Sequence, residues 1–180
     1  MDFFTSDPHL NHKRSIETDH CNRPFNSVEQ MNTTIINNWN NKINNNDTVY
    51  ILGDLAFGNY NQVLDAINSL NGRKILLLGD HDKQIKKDMS EFIKIDNYIF
   101  YKNKDIRIAL FHWCIRTWQK SHFNSFHLFG HSHGRLNPIG KSWDIGVDNN
   151  NFTPLSLDEI IDIMKNRPDN PNLIRTKNGY

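Results

Sequence analysis

Nine side chains able to ionise or bind metal stand in short clusters: Asp7 and His9, Asp54, the run Asp80, His81 and Asp82, the single His112, and the pair His131 and His133. Carboxylate beside imidazole suits Zn, Mn, Fe or Ni. The two cysteines, Cys21 and Cys114, lack the spacing of a closed structural zinc site. Each cluster alone is common, but so many charges gathered in one cleft would be costly without compensating cations. A His-x-His pair on an extended segment puts both rings on one face, so His131 and His133 can serve two neighbouring ions. Two ions about 3.5 to 4 Å apart need a bridging group, and Asp54 is the natural candidate. An open centre of this kind implies hydrolysis. His12, His20, His122 and His127 read as ordinary surface or core histidines.

The elements that must position these groups follow from periodicity. Ile75 to Leu78 is an unbroken apolar run before Gly79, which reads as a strand buried on both faces. Thr48 to Leu52 repeats the pattern before Gly53-Asp54, and Met1 to Thr5 leads into the first cluster. Ser27 with Gln30 caps a helix carrying Val28, Met31, Ile35, Trp39 and Ile43, with its asparagines expected on the outer face. Tyr60, Val63, Leu64, Ile67 and Leu70 give a second helix. This β-α-β-α-β order predicts a parallel sheet with Asp7, Asp54 and Asp80 along one edge. Shorter runs at 92–95, 98–102, 106–111, 126–129 and 143–147 read as further strands. The third of them ends at His112 and the fourth before Gly130-His131. Ser156 caps a last helix with Leu157, Ile160, Ile161 and Met164. Residues 1–166 therefore read as one α/β domain and 167–180 as a polar tail.

Lysine plus arginine number 21 against 20 acids, so no overall charge draws the chain to nucleic acid or to a membrane. No apolar run reaches the about 18 residues a membrane helix needs. Asp2 and Asp7 leave no space for a cleavable leader, and a cytoplasmic location is expected. Arg23 and Arg116 lie on loops close to the first and fourth clusters and are candidate phosphate clamps, since guanidinium grips phosphate bidentately. Arg14, Lys83 and Arg135 read as solvated surface. Trp113 and Trp118 are candidate platforms for a base or parts of the core.

The ordered motifs Asp-x-His at 7–9, Gly-Asp at 53–54, Gly-x-His-Asp at 79–82, His112 and Gly-His-x-His at 130–133 resemble those of the calcineurin-like metallophosphoesterases. Arg23-Pro24-Phe25, Trp39-Asn40 and the segment from Trp143 to Asp148 look like the small bacterial and phage members. The resemblance implies an α/β fold, a two-sheet metallophosphoesterase sandwich flanked by helices, with two divalent ions drawn from Mn, Ni, Zn or Fe. One would be held by Asp7, His9, Asp54 and His133, the other by Asp54, Asp80, His112 and His131. His81 would face the scissile phosphate, and Asp82 would fix its ring. Two departures stand out. Asp80 occupies a position where the family has asparagine, so the charge tunes or weakens the second site, and Trp113-Cys114 replaces the aromatic-proline pair that often follows the single histidine.

The expected activity is hydrolysis of a phosphodiester or phosphomonoester by activated water, on a small nucleotide-like substrate. The balanced charge argues against a long polymer. A nuclease acting on DNA or RNA is one alternative. The other is a catalytically weakened metal-binding scaffold or interaction protein.

Overall fold

The computed structural model describes residues 1–17, 21–86 and 89–172, so His20 and the end of the tail, 173–180, lie outside the described residues. Four of the five strands of the first sheet are parallel: β1 (Asp2–Thr5), β2 (Thr48–Ile51), β3 (Arg73–Leu77) and β4 (Phe92–Asp96). Helices α1 (Val28–Lys42) and α2 (Tyr60–Asn68) make the first two crossovers. The second sheet holds β5 (Tyr98–Asn103), β6 (Ile106–Phe111), β7 (Phe126–Phe129) and β8 (Ser142–Asp144). In it β5 is antiparallel to β6 and the others are parallel. A two-residue strand, β9 (Leu155–Ser156), pairs antiparallel with β1 and opens directly into α3 (Leu157–Lys165). The protein is thus a mixed α/β chain with two mixed sheets and three helices.

Strand alternation divides the core in two. Phe3, Val49, Ile51 and Leu76 pack with Met31, Ile35 and Trp39 of α1 and Val63 and Ile67 of α2. Their neighbours Phe4, Leu52 and Leu77 join Tyr101, Ile108, Leu110, Phe126 and Leu128 of the second sheet and Ile160 and Met164 of α3. One face of the first sheet therefore serves the helices and the other serves the second sheet, as period-two side chains require.

Most predicted boundaries hold to within two residues. The run expected over 143–147 stops at Asp144, because Gly146 and a 3-10 turn at Val147–Asn149 bend the chain back toward the site. The asparagines of α1 are not merely an outer face. Asn40 Oδ1 accepts the Asn71 N–H at 2.8 Å and its Nδ2 donates to the Ser69 carbonyl at 2.8 Å, while Asn38 Nδ2 donates to the Phe152 carbonyl at 3.2 Å. These amides satisfy loop groups that no helix or strand provides for. The segment expected as a tail docks in its first part: Arg167 donates to the Gly140 and Pro138 carbonyls, and Asn170 Nδ2 donates to the Arg116 carbonyl at 2.8 Å. Among the described residues no helix is long and apolar enough to cross a membrane.

His127 on β7 is a core residue, as expected. It is fully buried, its Nδ1–H donates to the Ala109 carbonyl at 3.0 Å, and its Nε2 accepts the Ile115 N–H at 3.2 Å. That pairing needs the neutral ring, and burial pushes the pKa down to about 4. Between that value and the unfolded value near 6.5 only the unfolded chain takes up the proton. The stability His127 provides is therefore complete above pH 6.5 and lost as pH falls toward 4, at about 1.4 kcal/mol per pH unit. Urea denaturation at pH 6.5 and 5 should show wild type losing about 2 kcal/mol more than His127→Gln; equal losses would contradict the assignment.

Candidate metal centre

The loops after the strands are stitched together before any ligand side chain is placed. Asp7 N–H donates to the Gly53 carbonyl at 3.1 Å and His9 N–H to the Asp54 carbonyl at 3.1 Å, which docks the loop after β1 on the loop after β2. Gly53 sits at φ +89°, and a Cβ there would come within 2.6 Å of His112 Nδ1 and 2.7 Å of Gly79 Cα. A Cβ on Gly130 would strike Ser6 Oγ and the Asp7 carboxylate. Only glycine allows so close an approach.

Two carboxylates are tied by one oxygen and leave the other facing inward. Asp7 Oδ2 accepts the His131 N–H at 2.9 Å, and Asp54 Oδ1 accepts the His81 N–H at 2.9 Å. The second oxygen of Asp7 is buried with no hydrogen-bond partner, as are His9 Nε2 and His112 Nε2. His9 Nε2 lies 3.6 Å from Asp7 Oδ1 and 3.5 Å from Asp54 Oδ2, and His112 Nε2 lies 3.8 Å from Asp54 Oδ2. Asp54 thus stands between two imidazoles, where a bridging group is expected.

The outer nitrogens of the rings are anchored. His112 Nδ1 meets the Leu52 carbonyl at 2.6 Å and His133 Nδ1 meets Asp148 at 2.8 Å. Burial would push the Asp148 carboxyl up, but His133 and Arg23 hold it well below the usual carboxylate range. Against burial, the same contact lifts the His133 ring to about 10. Among the described residues, potential donor atoms fall into four overlapping groups, each within 4.8 Å: Asp7, His9 and His133; Asp7, Asp54 and His112; Asp80, His112 and His131; and Cys21, His133 and Asp148. A buried donor left unpaired costs about 1 to 3 kcal/mol. Two imidazole nitrogens facing the carboxylates of Asp7 and Asp54, with one Asp7 oxygen also unpaired, fit a cation of the hard or borderline kind. The third group is the open one, with the side chains of Asp80 and His131 46% and 49% exposed and 3.3 Å apart.

The backbone of the candidate ligands is unusual. Asp7, His9, Asp54, His131 and His133 all have φ between +46° and +63°. The His-x-His segment is therefore not extended, as its spacing suggested. Its rings converge because left-handed residues turn the chain, a conformation costing roughly 1 to 3 kcal/mol each unless the surroundings enforce it.

Two expected roles need correction. Asp82 does not hold the His81 ring: its carboxylate accepts the N–H groups of Asp54, Leu55 and Gly79 at 2.9, 3.0 and 2.8 Å, fastening the loops after β2 and β3. Arg23 is no substrate clamp. It is 3% exposed, and its donors go to Asp148 at 2.8 and 2.9 Å, the Pro8 and Asp7 carbonyls at 2.8 and 2.7 Å, and Met31 Sδ at 3.5 Å. Trp118 is core, with Nε1 donating to the Ser125 carbonyl at 3.2 Å. Arg116 remains exposed, with Nε donating to Asn172 at 3.1 Å, and Trp113 packs beside His112 with ring centres 4.9 Å apart.

Sequence reasoning missed Asp144 and Asp148, which shape the last motif. Asp144 accepts Ser132 Oγ at 2.5 Å and the N–H groups of Gly134 and Gly146 at 3.0 and 2.8 Å. Asp148 meets Arg23, 125 positions away, and Asp144 reaches back to the last motif as well as to Gly146, so neither role shows in local spacing. His12 and Phe57 were also passed over, although they line the mouth beside His9 and His81. Arg23→Ala should destabilise the fold by roughly 3 to 5 kcal/mol, because it takes the donors from the Asp7 and Pro8 carbonyls and leaves the buried Asp148 carboxylate with His133 alone of its two cationic partners. Urea denaturation measures this. Unchanged stability with a raised KM would restore the substrate-clamp role.

No family model matches the chain. The Gene 66 protein of Mycobacterium phage L5 is 36% identical over 83 residues, 44% of this chain and 39% of that protein. The crystal structure of AQ665 from Aquifex aeolicus, a protein of unknown function, matches with a TM-score of 0.67 at 27% identity, covering 91% of this chain and 98% of that one. The uncharacterized protein MJ1445 of Methanocaldococcus jannaschii is 32% identical over 177 residues, 91% of this chain and 90% of the relative. With that identity sustained over nearly the whole of both proteins, this chain belongs to the family of MJ1445.

Proposed function

We propose that the protein is a dinuclear metal-dependent phosphoesterase of the calcineurin-like kind, its two sheets and flanking helices forming the sandwich of that family. The observation that carries this reading is the set of buried, unpartnered donors on Asp7, His9 and His112 converging beside Asp54. Asp7, His9, Asp54 and His133 would hold one divalent ion, and Asp54, Asp80, His112 and His131 the other. When bound, the pair supplies positive charge to a phosphate oxygen and a water acidified toward neutral pH.

The remaining chemistry belongs to the chain. His81 has its backbone N–H fixed by Asp54, and its exposed ring packs on Phe57 with centres 4.8 Å apart. From there it can hold a non-bridging oxygen or give a proton to the leaving alkoxide. The open side of the centre, at Asp80 and His131, is where the ester would enter. A small phosphodiester of nucleotide type, met in the cytoplasm, fits the balanced charge better than a long polymer.

Asp80 favours a second reading, a quieted scaffold, because its charge opposes an approaching phosphate. Metal-stripped protein should recover hydrolysis of bis-p-nitrophenyl phosphate, more than of p-nitrophenyl phosphate, when Mn, Ni, Zn, Fe or Mg is added back singly. His81→Ala should keep its metal and lose about 100- to 10,000-fold in kcat. Two bound ions with no turnover on either ester would put the scaffold reading first. Asp80→Asn should weaken metal retention yet raise turnover per bound ion, as dialysis and steady-state rates would register; no change in either would remove Asp80 as the tuning residue.

A further inference from the structure

The turn after the first motif brings a third histidine onto the metal centre. His12 N–H donates to the His9 carbonyl at 3.1 Å, closing a turn through Asn11 at φ +67°. The His12 ring is thereby folded back, and its Nδ1 lies 3.2 Å from His9 Nδ1. It is held on both flanks. Phe57 stacks on it with ring centres 3.6 Å apart and planes 5° from parallel, and the buried Ser15 Oγ lies 3.1 Å from the same Nδ1. Phe57 is itself fixed, its N–H donating to the Leu10 carbonyl at 2.8 Å and its carbonyl accepting Asn11 Nδ2 at 3.3 Å.

Two ring nitrogens facing each other at that distance share one hydrogen. If His9 offers the lone pair of Nε2 to a cation, its own hydrogen must sit on Nδ1. The nitrogen it meets there, His12 Nδ1, must then be bare, with the His12 hydrogen on Nε2. We propose that His12 is a positioning residue of the centre: it accepts the His9 Nδ1–H and commits His9 to the tautomer whose Nε2 faces Asp7 and Asp54. This role rests on reading His9 as a metal donor. It parallels the Leu52 carbonyl behind His112 and the Asp148 carboxylate behind His133, except that a neutral imidazole replaces an oxygen. Unlike either, that acceptor can itself change tautomer, so occupation of the cation site would be recorded at the rim of the cleft.

Nitrogen-15 spectra of the ring nitrogens, taken on wild type with and without Zn, read the tautomer directly. Zn-loaded protein should show His12 bare at Nδ1 and protonated at Nε2. Equilibrium dialysis against Zn then separates acceptor from packing. His12→Phe keeps a ring on Phe57 but cannot accept, and should bind Zn about 10- to 100-fold more weakly. His12→Asn places an amide oxygen near the same position and should recover most of that loss. A Zn-loaded wild type with hydrogen on His12 Nδ1, or His12→Phe binding as tightly as wild type, overturns the role while leaving the metal centre standing. Wild type that takes up no Zn, Mn or Ni overturns the metal reading and this role with it.

Discussion

The guanidinium of Arg23 joins the first and the last motif of the candidate centre. It is buried, and it divides its donors between the carbonyls of Asp7 and Pro8 on one side and the carboxylate of Asp148 on the other. Asp148 in turn orients His133. The first sheet delivers Asp7 and His9, while His133 follows the second sheet, so one planar cation, together with the backbone bridge between Ser6 and Gly146, sets the spacing between these candidate ligands. A lysine could supply the charge but not the fork. The loss of one such group is therefore felt in the fold and in the centre together.

The same device recurs with the sign reversed. Asp82 gathers three backbone N–H groups from the loops after β2 and β3, and Asp144 gathers two N–H groups and a hydroxyl around the last motif. A buried carboxylate is tolerable when several donors meet it. Each one converts an irregular loop into a defined turn without spending a ligand. The centre is thus built in two shells of carboxylates, one that offers oxygens inward and one that consumes them outward.

How much of this could be read from residues follows from range. The strands and helices were legible because Ile75 to Leu78 and the Met31, Ile35, Trp39 stripe carry their period within ten residues. Ligand candidates were legible because each follows a predicted strand. Which oxygen is free was not, since that depends on partners such as His131 N–H for Asp7, 124 positions away. Arg23 and Asp82 were misassigned for a related reason: an ionisable side chain beside a motif looks the same in sequence whether it faces substrate or backbone. His12 was passed over because a lone histidine carries no spacing signal, and its meaning comes from a turn that closes only with Phe57 in place.

Five of the candidate ligands occupy left-handed backbone that ordinary residues avoid. Glycine and, to a lesser degree, asparagine are relieved of that strain, so at these positions selection for a sturdier fold and selection for a working centre pull in opposite directions. Glycine in place of Asp7, His9 or His133 would relieve the strain and remove the donor atom in one step. At all five places in this chain the residue is aspartate or histidine, so the strain is kept together with the donor atom.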